Sequence, residues 1–181
     1  MDDISEEVTE TDPPKKPKKK RTAKSYAVYL IIRAALTAAA LWVLLTFIAG
    51  VYICHDNSAY PMIKDGDLCI TYRLEQPRQG DVIAYKLNGD IRFGRVIAAQ
   101  GDSVDIRSDY VTVNGYGIFD DTLYPTTSEG ADITFPYTVS ENCVFVLNDY
   151  RRDISDSRTY GSISLEDVQG KVVFVMRRRG I

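Results

Sequence analysis

The sequence predicts a mainly β fold carried by one N-terminal transmembrane helix, and three observations predict it. Ala34–Ile53 is a run of twenty residues without a formal charge. After it come short runs rich in β-branched and aromatic residues, separated by Gly-Asp, Asn-Gly and Pro signals, which is the pattern of a sandwich or barrel. Finally, 45% apolar and 26% charged residues in a chain of 181 are ordinary globular values, which argues against collagen-like and wholly disordered chains.

Residues 1–25 contain no hydrophobic run. Six acids fall within Met1–Asp12, and a basic block from Lys15 to Arg21 follows. Such a segment buries too little apolar surface to offset its ordering entropy, so it reads as a disordered tail. The helix is assigned to 26–53, because apolar character begins at Ala27. Twenty helical residues span roughly 30 Å, the thickness of a bilayer's hydrocarbon core. Arg33 interrupts the run near its start, where a long cationic side chain can snorkel to the interface. A cleaved signal peptide would carry a shorter apolar region, about 7–15 residues, and a small-x-small site. Gly50-Val51-Tyr52 is a poor site of that kind.

Orientation follows from charge. Seven Lys/Arg precede Tyr26, Arg33 makes eight, and none lies between Ala34 and Lys64. By the positive-inside rule the tail is cytoplasmic, and residues 54–181 form an extracytoplasmic domain of a single-pass cell-membrane protein. The lipid bilayer is therefore one partner. With a net charge of −3 and the basic residues crowded at the two ends, no basic stripe crosses the folded part, and no nucleic-acid partner is expected.

Within 54–181, strands are expected at 68–72, 81–85, 92–98, 103–106, 110–113, 144–147 and 172–176. Asn88-Gly89 between two such runs is a hairpin signal. Helix outside the membrane should be slight. Three cysteines, Cys54, Cys69 and Cys143, lack any C-x-x-C spacing, which argues against a zinc ribbon or a dense disulfide framework. The sequence leaves their pairing open. One histidine, His55, is too few for a His-rich metal site.

Four boxes follow one another in a familiar order. Ser58-Ala59-Tyr60-Pro61-Met62-Ile63-Lys64-Asp65-Gly66-Asp67 resembles the Ser-Met-x-Pro-Thr-Leu-x-x-Gly-Asp box of the signal peptidase I family. Arg78-Gln79-Gly80-Asp81-Val82-Ile83 is similar to that family's Arg/Lys-x-Gly-Asp-Ile/Val-Val box. Arg95-Val96-Ile97 with Gly101-Asp102 resembles its Lys-Arg-Val-Ile-Gly-x-x-Gly-Asp box. Asn148-Asp149-Tyr150-Arg151 with Ser155-Asp156-Ser157-Arg158 and Gly161 resembles its Gly-Asp-Asn-Arg…Ser-x-Asp-Ser-Arg-x-x-Gly signature. The resemblance implies a coiled β-sheet or barrel domain on the outer membrane surface that binds Ala-x-Ala-type signal peptides as an added strand. It also implies a serine nucleophile with a neutral lysine as general base, and no metal or cofactor. A serine hydroxyl is a poor nucleophile until a base takes its proton. Lysine can be that base only where burial lowers its pKa.

This chain departs from the pattern at the chemistry. Ser58 holds the nucleophile position, but Gly94 stands where the family has its lysine, and glycine accepts no proton. Asp56 occupies a position where some members carry a hydroxyl or glycine that helps form the oxyanion hole. A carboxylate there would repel a developing oxyanion. Lys86, across the Asn88-Gly89 turn, and His55, near Ser58, are the alternative bases. Arg92 shares the strand face of Gly94 but stays charged. Asp156 and Arg158 match the family's structural acid and arginine near the site, and a buried or half-buried ion pair with Arg95 is expected of them. Loss of a general base typically costs ~10²–10⁴ in rate. The expectation is thus a non-catalytic or impaired family member that recognises signal peptides or exported proteins. It resembles the degenerate members that assist Gram-positive pilus assembly, with pilin and sortase as partners. An active peptidase cleaving Ala-x-Ala sites through Ser58 is the alternative.

Overall fold

The structure, a computed structural model, describes residues 23–118 and 122–178. The chain divides into a unit that ends at Ala39 and a second that begins at Ala40. Helix α1 spans Ala23–Val43, and a π-helical turn, Leu44–Ile48, continues it. Ala23–Ile48 is long and apolar enough to cross a membrane, with 26 residues, an 18-residue stretch of mean hydropathy 2.1 and no buried position. Arg33 reaches back one turn, its guanidinium carbon 5.5 Å from the Tyr29 ring centroid, in the N-terminal direction that helical side chains take. Apart from Ala23–Ser25, which begin α1, the tail expected over 1–25 lies outside the described residues.

The helix ends earlier than the expected boundary at 53. Ala49–Ile53 is a strand, β1, paired antiparallel with β2 (Leu68–Tyr72) from Ala49↔Tyr72 to Ile53↔Leu68. Gly50 weakens helix, the Val51-Tyr52-Ile53 run suits extended backbone, and β2 supplies the hydrogen-bond partners. The β domain thus starts at Ala49 rather than at residue 54. Arg73 secures the junction. Its backbone N–H donates to Ile48 O at 2.9 Å, and its Nη1 donates to Thr46 O at 2.6 Å. A cation on the last carbonyls of a helix is favourably placed.

The other strands are β3 (Val82–Leu87), β4 (Asp90–Ala99), β5 (Ser103–Arg107), β6 (Tyr110–Val113), β7 (Tyr116–Gly117), β8 (Tyr137–Thr138), β9 (Cys143–Leu147), β10 (Ile163–Ser164) and β11 (Val168–Met176). They form a seven-stranded sheet ordered β1-β2-β11-β3-β4-β9-β10 and a four-stranded sheet ordered β7-β6-β5-β8. The fold is mainly β, as expected, and the one further helix among the described residues is the short α2, Ser157–Tyr160. The predicted hairpin joins β3 to β4, with Leu87↔Asp90 closing a turn in which Asn88 has φ 53° and Gly89 φ 97°. A two-residue turn of this hand needs positive φ at both positions, which Asn-Gly tolerates.

Side chains alternate across the pleat, so β3 and β4 feed two cores. Ala84 and Phe93 join Cys54, Ala59, Ile63 and Cys69 on one side. Ile83, Tyr85 and Val96 join Val144, Val146 and Ile163 on the other. On the β1-β2-β11 part of the large sheet, cross-strand registers line up two apolar rows, Val51–Ile70–Phe174 and Ile53–Leu68–Met176. Their outer members, Val51, Ile53, Phe174 and Met176, are exposed.

Candidate active site

Ser58 lies in a loop that leaves β1 and re-enters at β2. The loop is closed at its base by the ladder bonds Cys54 N–H to Asp67 O and Gly66 N–H to Cys54 O, at 2.9 and 2.8 Å. Ala59 and Ile63 anchor it in the core, and the Asp67 carboxylate accepts from Lys64 N and Arg178 N. This pinned loop sets Ser58 against β4.

Every polar group of Ser58 is engaged within the protein. Its hydroxyl donates to Asp56 Oδ1 at 2.7 Å, with the Phe93 carbonyl 3.2 Å away as a second acceptor. The Ser58 amide donates to the same Asp56 oxygen at 3.0 Å. The Ser58 carbonyl accepts from Tyr150 N at 2.9 Å. Ser58 is only 2% exposed. A nucleophilic serine commonly offers its own amide N–H to the oxyanion. Here that N–H already faces a carboxylate oxygen. The Cys54 thiol, 3.2 Å from the Asp56 main-chain oxygen, holds the backbone of the same turn.

Gly94 sits on β4 opposite Ile83. A Cβ added there would stand 2.5 Å from Val146 Cγ1, 3.2 Å from Leu147 O and 3.5 Å from Tyr85 Cε1. The glycine therefore marks a close approach rather than a bulge: Val146 Cγ1 occupies the space that any Cβ here would need, and Tyr85 lies at ordinary contact distance. Tyr85 is fully buried, and its hydroxyl has no hydrogen-bond partner among the described residues. Burial, and then the Asp156 carboxylate, push its phenol above the ordinary tyrosine range, so it stays protonated and is no base.

Neither alternative base is joined to Ser58. Lys86 is exposed on β3 opposite Ile91, and its backbone N–H donates to Asp167 O. His55 is exposed and makes no hydrogen bond to Ser58 or Asp56. Arg92 turns to Ser155, donating from Nη1 to its carbonyl at 3.1 Å and its hydroxyl at 3.0 Å. Among the described residues, Asp56 is the titratable side chain hydrogen-bonded to Ser58.

The expected ion pair of Asp156 and Arg158 with Arg95 is replaced by two separate pairs. Arg95 grips Asp149 in a two-pronged contact, Nε to Oδ1 at 2.8 Å and Nη2 to Oδ2 at 2.7 Å. Asp156 pairs with Arg158, both side chains fully buried, at 2.7 Å. Asp156 also caps α2 and accepts from Asn148 N, while Arg158 donates to the carbonyls of Arg151, Asp153 and Thr127. Asp149 is carried on the segment that follows β9, one residue after Asn148, which places it beside Arg95 on β4. These pairs shape the 148–158 segment and offer no proton relay to Ser58. The residues that sequence reasoning missed are Tyr85, Val146, Asp149 and the Phe93 carbonyl. Asp149 was visible inside the last box. The others act through contacts that no spacing encodes.

Cys54, Cys69 and Cys143 are all free thiols. Burial pushes Cys54 up to about 12 and Cys69 up to about 11. No group of three or more His, Cys, Asp or Glu suited to a metal ion exists among the described residues.

A family model described as signal peptidase, peptidase S26, matches residues 25–177. Signal peptidase I of Bacillus caldolyticus is 29% identical over 144 residues, covering 71% of this chain and 79% of its own length. Signal peptidase IB of Staphylococcus aureus is 29% identical over 164 residues, covering 80% of this chain and 86% of its own. A crystal structure of a signal peptidase I from Enterococcus faecalis shares 28% identity with a TM-score of 0.48, covering 55% of this chain and 98% of that one.

Proposed function

This chain belongs to the signal peptidase family of S26 peptidases, and from that premise we propose that it is a member which recognises signal peptides or exported proteins without cleaving them. In this reading it works at the outer membrane face, with its N-terminus cytoplasmic, and assists the assembly of pilus or surface proteins. Pilin and sortase are the partners such a role calls for.

The observation that carries the non-catalytic reading is the closure over Gly94. Acyl transfer needs a base within hydrogen-bond reach of the serine, and the position from which the family's lysine would extend is filled by Val146. Recognition by strand addition needs no such group, because main-chain pairing supplies the affinity. The two apolar rows on β1, β2 and β11 support apposition to a bilayer, since β1 follows the membrane-compatible helix without a linker.

One observation favours the runner-up, an active peptidase. The Ser58 hydroxyl is 2.7 Å from a carboxylate oxygen able to accept its proton. Against it, the same oxygen also takes the Ser58 amide, so that N–H is not free for an oxyanion.

The test is photo-crosslinking of an Ala-x-Ala signal peptide to the full-length protein in phospholipid vesicles. The proposal expects crosslinks to the β domain with the peptide recovered intact. Absence of crosslinks at saturating peptide would remove the recognition role, and recovery of cleaved peptide would remove the non-catalytic one.

A further inference from the structure

We infer that Asp56 is a latch: its carboxylate fills the seat that the carbonyl of a bound peptide would take at Ser58, so peptide engages that seat only after Asp56 turns away. The inference rests on the peptide-recognition reading and adds the regulation of the same site. The geometry is that of an occupied carbonyl seat. One oxygen, Asp56 Oδ1, accepts two donors from one residue, the Ser58 amide at 3.0 Å and the Ser58 hydroxyl at 2.7 Å, with the Cys54 thiol as a longer third contact at 3.8 Å. A substrate carbonyl at a serine centre would draw on that amide, and Asp56 has taken it.

The moving part is also defined. Ser58 cannot yield, because Tyr150 holds its carbonyl and it is 2% exposed beside the Phe93 carbonyl. The Asp56 backbone cannot yield easily, because the Cys54 thiol bonds its carbonyl oxygen within a closed loop. Asp56 is partly exposed, so rotation about its own side-chain bonds opens the seat without unfolding the loop. The ligand class is a neutral main-chain carbonyl of an extended peptide. A ligand that must first displace a resident group binds with its intrinsic affinity reduced by the open fraction.

The experiment measures binding of a fluorescent synthetic signal peptide with an Ala-x-Ala site to the full-length protein in nanodiscs. Wild type is compared with Asp56→Gly, Asp56→Asn and Ser58→Ala, with thermal melts as a folding control. Removing the side chain in Asp56→Gly should tighten binding at least about tenfold, corresponding to a wild type open no more than about a tenth of the time. Asp56→Asn retains an oxygen for both donors and should stay within about threefold of wild type. Ser58→Ala removes the shortest of the ties to Asp56 Oδ1 and should tighten binding by a smaller factor, which decides the matter if Asp56→Gly fails to fold. Equal affinity of wild type and Asp56→Gly, or equal tightening by Asn and Gly, overturns the latch while leaving recognition intact. Absence of binding by every folded variant overturns both.

Discussion

Val146 Cγ1 lies 2.5 Å from the point where a Cβ on Gly94 would stand. Real side chains do not approach that closely, so the two residues are complementary. The valine uses volume that only a glycine leaves free. The packing of β4 against β9 is thus built around a residue without a side chain at position 94.

Restoring the lysine should therefore be costly. Gly94→Lys is predicted to destabilise the domain by about 1–3 kcal/mol through overpacking. Adding Val146→Ala should recover part of that loss. Chemical denaturation of the full-length protein in micelles, followed by near-ultraviolet circular dichroism of the tyrosines, checks both. A Gly94→Lys variant as stable as wild type would contradict the closure.

Tyr85 makes the opposite prediction. Its buried hydroxyl has no hydrogen-bond partner among the described residues, and leaving such a donor unpaired costs about 1–3 kcal/mol. Tyr85→Phe should raise stability by about 1 kcal/mol, read as a higher melting temperature. A clear fall would mean that the hydroxyl is engaged.

The Asp156–Arg158 pair should be far more sensitive than the surface pair Arg78–Glu75. Both partners of the first are fully buried, whereas the Arg78 side chain is 77% exposed. Removing one partner of a buried pair strands the other charge and costs about 3–5 kcal/mol, while exposed pairs contribute about 0–1 kcal/mol. Asp156→Ala and Arg78→Ala, compared by denaturation, should separate accordingly.

The buried thiols set an alkaline limit. Burial raises Cys54 from 9.0 to about 12 and Cys69 from 9.0 to about 11. Above pH 9 the unfolded chain releases these protons while the folded one keeps them, so the unfolded state binds fewer protons and stability falls as pH rises. The slope is on the order of 1.4 kcal/mol per pH unit for each thiol. It runs from about pH 9 to the folded values and is absent below pH 8. Denaturation series at rising pH should show the decline in wild type and a shallower one in Cys54→Ala. Native protein at pH 8 should resist alkylation at both positions, because the thiolate is the reactive form.

Much of the fold was legible because turn chemistry is local. Asn88-Gly89, Gly66-Asp67 and Gly101-Asp102 punctuate the chain, and the strand runs between them carry their own β-branched signature. β1 was not legible. Val51, Tyr52 and Ile53 are as apolar as the helix before them, and what makes them a strand is the distant edge of β2. The two-residue strands β7, β8 and β10 are too short for any periodicity. At the candidate site, the sequence singled out Ser58, Asp56 and Gly94 as expectations. It could not show that Asp56 Oδ1 takes both donors of Ser58, since that depends on a side-chain rotation. Nor could it choose between Asp149 and Asp156 as the partner of Arg95, because the choice turns on which carboxylate the 148–158 segment aims at β4.

The most direct measurement of the central claim is single-turnover cleavage of an Ala-x-Ala preprotein, with full-length protein in excess in proteoliposomes. The account predicts no product from wild type above that from Ser58→Ala. Product formed by wild type and abolished by Ser58→Ala would show Ser58 to be a working nucleophile and would contradict it.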